Sequence, residues 1–118
     1  MLVWDETDVL TVLEVIPDIG QDAIWHKYSV KKDGLELRIL LYQYDGDVQF
    51  ELFREGVEKS IYSMKIIDCP GAIRKVDTTG EYLEFAESKC FGSRYDGNSS
   101  IPFGVRIYIK PSISISLF

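Results

Sequence analysis

Between Ala23 and Asp68 the chain reads AIWHKYSVKKDGLELRILLYQYDGDVQFELFREGVEKSIYSMKIID, four runs of alternating apolar and polar residues separated by Asp33-Gly34, Asp45-Gly46 and Glu55-Gly56. Strict alternation places successive side chains on opposite faces of a β-strand, and an acid-glycine pair accepts the positive φ that tight hairpin turns demand. The stretch therefore predicts an antiparallel meander of four strands. A two-residue turn at Asp33-Gly34 joins Ala23–Lys32 to Leu35–Tyr44. It sets Val30 opposite Leu37, Tyr28 opposite Ile39 and His26 opposite Leu41 on one face, and Lys31 opposite Glu36 and Ser29 opposite Arg38 on the other.

With Asp45-Gly46 as a second two-residue turn, Leu41 meets Phe50 and Ile39 meets Leu52, and the same face stays apolar. At Glu55-Gly56 a two-residue turn would carry Lys59 and Lys65 to that face. Burying unpaired ammonium groups costs more than a less regular turn, so a three-residue loop, Glu55–Val57, is expected. The loop aligns Tyr62 with Phe50 and Met64 with Val48 in a fourth strand, Glu58–Asp68.

Outside the meander, Val9, Leu10, Val12, Leu13 and Ile16 recur at helical spacing, with Asp5 or Thr7 as cap and Pro17 as stop. Thr79–Phe91 supports two readings. Tyr82, Phe85, Ala86, Lys89 and Cys90 have helical spacing, Thr78 and Glu81 the spacing of a capping box, and Leu83 and Phe85 a brief alternation; helix is the preferred reading. Gly92–Ser100 is a polar loop. From Ile101 to Leu117 apolar and polar residues alternate again, with Pro111 marking an edge or a bulge between strand segments. The fold expected is α+β: an N-terminal helix, an antiparallel meander, and C-terminal strands that extend the sheet or form a second layer, with a β-sandwich as the alternative.

The 118 residues are enough for a single domain spanning 1–118 with its own core, and 46% hydrophobic against 27% charged residues is a globular composition. A net charge of −6, from 19 acids and 13 Lys plus Arg, disfavours nucleic acid and anionic membrane surfaces and would steer a basic protein towards the chain. The N-terminus lacks the basic start and apolar core of a signal peptide, and no apolar run is long enough to span a bilayer, so a cytoplasmic protein is expected. Cys69 and Cys90 then read as reduced thiols, although a bridge between them stays open.

Catalytic signals are sparse. His26, the only histidine, falls on the apolar face of the first hairpin, and no nucleophile is identifiable beside it. No cofactor motif and no metal-ligand spacing is present, and Asp96-Gly97-Asn98-Ser99 lacks the flanking acids and closing glutamate of a calcium loop. The other face of the meander carries Trp25, Tyr42, Tyr44, Glu51 and Phe53 together with Leu40, Gln49 and Arg38. Aromatic residues rimmed by charge suit a protein-binding surface; the helix or the later strands covering that face is the alternative. The function expected is a non-catalytic module for a basic protein partner, immunity- or antitoxin-like by analogy of size and charge alone. A small-ligand protein or enzyme with a pocket of His26, Tyr28 and Cys69 between sheet and helix is the second reading. A homodimer paired along the Ile-Ser alternation of 113–117 is a third.

Overall fold

A computed structural model, in which residues 2–88 and 104–118 are described, shows one short helix and two antiparallel sheets. The helix α1 (Glu6–Leu13) is followed by the two-residue edge strand β1 (Asp18–Ile19). The meander then runs through β2 (Trp25–Lys32), β3 (Leu35–Tyr42), β4 (Val48–Arg54) and β5 (Ser60–Ile66). These five strands lie in sequence order, and β6 (Ala72–Asp77), β7 (Gly80–Ala86), β8 (Gly104–Tyr108) and β9 (Ser114–Leu117) make a second sheet in sequence order. The C-terminal strands thus form a second layer rather than an extension of the first.

The β2–β3 register is the expected one: Val30 pairs with Leu37, Tyr28 with Ile39 and His26 with Leu41. Asp33 and Gly34, at φ 54° and 78°, both take the left-handed backbone that a tight, right-twisted hairpin turn needs. The next two registers differ from expectation. Leu41 pairs with Val48 and Ile39 with Phe50, while Phe50 pairs with Met64 and Val48 with Ile66. Each pairing is two residues from the expected one, because the β3–β4 turn is longer than its acid-glycine pair and the β4–β5 connection is longer than the three-residue loop. The β3–β4 turn is clamped from outside the meander: Cys69 N–H donates to the Gly46 carbonyl at 2.7 Å, and Asp68 N–H to Asp47 Oδ1 at 3.2 Å. Gly46 sits at φ 80°, and a Cβ there would lie 3.2 Å from the Cys69 carbonyl, so only glycine suits the site. At the β4–β5 end, a register irregularity between Leu52 and Phe53 absorbs an extra residue. A shift of two preserves side-chain parity, so the same residues face the core.

Thr79–Phe91 does not begin as a helix; its described part is the strand β7. Asp77 Oδ1 accepts hydrogen bonds from the Thr79 backbone N–H and hydroxyl, which closes a β6–β7 hairpin, and Glu81 pairs with Arg74 of β6 instead of capping a helix. Tyr82, Glu84 and Ala86 are buried on one face of β7 and Leu83 and Phe85 on the other, so the clean alternation of a half-exposed strand is missing. The part of that segment from Lys89 onward, Cys90, the 92–100 loop and the start of the tail strand lie outside the described residues.

The core lies between the sheets. Tyr28, Val30, Leu37, Ile39, Leu41, Val48 and Phe50 of the first meet Leu83, Phe85, Val105 and Ile107 of the second. The Phe50 and Phe85 rings cross edge to face, with centroids 5.0 Å apart. Helix α1 adds Val9, Val12 and Leu13 beside β6 and β7. Its cap is Asp5, whose Oδ1 accepts the Asp8 N–H at 3.0 Å; Thr7 does not cap it, and Leu10 and Ile16 point to solvent. The chain start laces the layers together, since Leu2 N–H donates to the Gln43 carbonyl and Ala72 N–H to the Val3 carbonyl. Among the described residues no helix is long and apolar enough to cross a membrane. If the Phe50–Phe85 contact couples the sheets, Phe50→Ala and Phe85→Ala should each cost about 3–5 kcal/mol in denaturant unfolding. The double variant should cost less than the sum of the two.

Candidate functional site

Because the second sheet takes the His26–Tyr28–Val30 face of the meander, the face carrying Trp25, Tyr42 and Glu51 is the outer one. Neither α1 nor the described C-terminal strands form a layer over it, and its residues from Trp25 to Ser29 and from Arg38 to Leu40 that point outward are half-buried. The site residues expected on this face separate into two groups.

The first group lies where β2 begins and β3 ends. Trp25 is directly opposite Tyr42. Its indole rests on Gly20, where any added Cβ would come within 2.4 Å of the ring, so the chain leaving β1 holds the indole in place. Tyr44, 57% exposed in the following turn, donates to the Asp22 carbonyl at 3.4 Å. Asp45 and Asp47 share that turn, and Asp68 is drawn to it through Asp47. Lys65 lies 3.5 Å from Asp47, whereas Asp22, Asp45 and Asp68 have no ion pair among the described residues. The result is an aromatic group set among four aspartates.

The second group lies farther along β3 and β4. Arg38 faces Glu51 across the strands, its Nε is 2.6 Å from Glu36 Oε2, and its guanidinium lies 4.2 Å from the centre of the Phe53 ring. Phe53 is only 7% exposed, so what the surface offers there is the Arg38–Glu36 pair above the ring. Tyr42 and Arg38 are four residues apart on one strand, roughly 13 Å, so the two groups can be contacted separately or spanned by one protein interface. None of the four aspartates is among the expected site residues: Asp45 and Asp47 read as turn residues, and Asp22 and Asp68 reach the turn only through contacts with Tyr44 and Asp47. The positive φ of Asp22 and Asp68, 57° and 55°, is compatible with Asp but leaves no sequence motif.

His26, Tyr28 and Cys69 sit in packed surroundings, 3%, 2% and 1% exposed. The His26 ring crosses Trp4 edge to face at 5.0 Å, its Nε2 is 3.9 Å from Glu6, and its Nδ1 has no hydrogen-bond partner among the described residues. Cys69 is a free thiol donating to the Ala86 carbonyl at 3.0 Å; burial pushes its pKa up to about 12, which disfavours the thiolate a nucleophile requires. Burial likewise raises the Tyr28 hydroxyl, reinforced by Glu6. The arrangement favours packing over substrate access. No group of three or more His, Cys, Asp or Glu among the described residues is placed to hold a metal ion.

No protein-family model matches the chain, and no curated protein does. A solved structure does. The fold superposes on a chain of a contact-dependent growth inhibition toxin and immunity protein complex from Klebsiella pneumoniae 342, with a TM-score of 0.75 and 20% sequence identity. The match covers 98% of this chain and 93% of that one. The likeness is one of fold.

The hydrogen bond to Arg38 holds the Glu36 carboxyl below its ordinary pKa, with burial opposing it. A depressed carboxyl pKa contributes stability that is present at neutral pH and is lost as pH falls through the folded-state value. Carboxyl-detected NMR titration should therefore give Glu36 a midpoint below 4.5, and Arg38→Ala should move it upward.

Proposed function

We propose that the protein is a non-catalytic, immunity-like binding module that docks a basic protein through the outer face of its first sheet. The observation that carries this reading is the grouping of Trp25, Tyr42 and Tyr44 with Asp22, Asp45, Asp47 and Asp68 at one end of that face. Ordered aromatic side chains supply large contact areas at little entropic cost, and unpaired carboxylates nearby attract and orient a cationic partner. The net charge of −6 has the sign such steering needs. Support also comes from the fold shared with a chain of a toxin and immunity protein complex. Within this reading Glu51, with Arg38 and Glu36, forms the charged rim of the interface, and Phe53 supports it from below.

The buried positions of His26 and Cys69 favour binding over the enzyme alternative, in which both would have to meet a substrate. A basic partner captured from the native lysate and then purified provides the test. Trp25→Ala, Tyr42→Ala and the exposed Tyr44→Ala should each weaken its affinity by about 30-fold, a typical hot-spot loss. Added salt should slow association. Unchanged affinity in all three variants would place the docking surface elsewhere.

A further inference from the structure

Among the described residues the sandwich has an uncovered side, where β5 is the edge of the first sheet and β9 the edge of the second. A cleft of about 470 Å³ lies there, within the size range of small-molecule sites. Its walls are apolar: Met64, Ile66 and Ile67 from β5 and the residue after it, and Val105, Leu117 and Phe118 from the second sheet. One acid interrupts them. Glu87 is 7% exposed, and its Oε2 has no hydrogen-bond partner among the described residues. Lys65, also on the wall, has its ammonium 3.5 Å from Asp47.

Glu87 is also firmly placed. It follows Ala86, whose N–H donates to the Gly71 carbonyl at 3.1 Å and whose carbonyl accepts from the Cys69 thiol at 3.0 Å. Buried polar groups ordinarily find partners, so an oxygen left without one in an apolar cleft points to a ligand that brings a donor. The best complement to a carboxyl group in apolar surroundings is a cationic N–H donor, because charge-assisted hydrogen bonds are the strong ones there. We propose that the cleft between β5 and the β8–β9 end of the second sheet binds a small amphiphilic amine. Its hydrocarbon body lies against Ile66, Val105 and Leu117, and its ammonium donates to Glu87. This site is separate from the outer face of the first sheet, and it does not depend on the docking reading.

The test is a titration of the full chain with n-hexylammonium, 1-hexanol and hexanoate at matched ionic strength, followed through methyl NMR signals. The amine should give saturable shifts at Ile66, Val105 and Leu117, with an affinity about ten-fold above that of the alcohol, and hexanoate should give none. Glu87→Gln, with its core methyl dispersion retained, should bring amine and alcohol to roughly equal affinity. Equal affinities in the unaltered protein would overturn the proposal, as would the absence of saturable shifts at these methyls.

Discussion

Side-chain parity along the meander is the constraint on which the rest of the structure depends. In β2, β3 and β4 alternate residues belong to opposite faces, and a slip of one would exchange Tyr28, Ile39 and Phe50 for Lys27, Arg38 and Glu51 in the core. The cost of burying those charges without partners rules out such a slip. A slip of two costs far less, and the observed pairing does lie two residues from the one given by a two-residue turn in the second hairpin and by a three-residue loop in the third. The core face survives either pairing. Once that face is committed to the second sheet through contacts such as Phe50 with Phe85, Trp25 and Tyr42 are left on the outside.

The parts of the fold legible in the sequence were those that local chemistry dictates. Asp33-Gly34 has the two positive-φ positions of a tight turn, and the strands beside it sort cleanly by side-chain type. Asp5 is a good cap in sequence and in structure. What could not be read was decided at long range. The β3–β4 turn is held open by Asp68 and Cys69, more than twenty residues beyond it in the chain. The described part of β7 is buried on both faces, which removes the period that separates strand from helix.

The candidate site divides in the same way. The aromatic residues of the outer face, Tyr44 included, follow from parity, whereas Asp45 and Asp47 read in the sequence only as turn residues. Asp22 and Asp68 join them only through hydrogen bonds between distant segments. Phe53 is expected as a contact residue, but it is buried, and the ring lies beneath the Arg38 guanidinium rather than on the surface. Glu87 gave no sequence signal at all, since an acid after an apolar strand usually marks a return to solvent, and here the cleft walls enclose it.

Among the described residues, the second sheet closes one face of the first sheet and no layer covers the other. Thiol accessibility along β3 tests it most directly, using single cysteines at Arg38, Ile39, Leu40 and Leu41 in a background without native thiols and a small maleimide as probe. Labelling should be rapid at positions 38 and 40, with protection at 39 and 41 until the protein unfolds. Protection at all four positions in a folded monomer would show that something covers the outer face, and would overturn this arrangement of the two sheets.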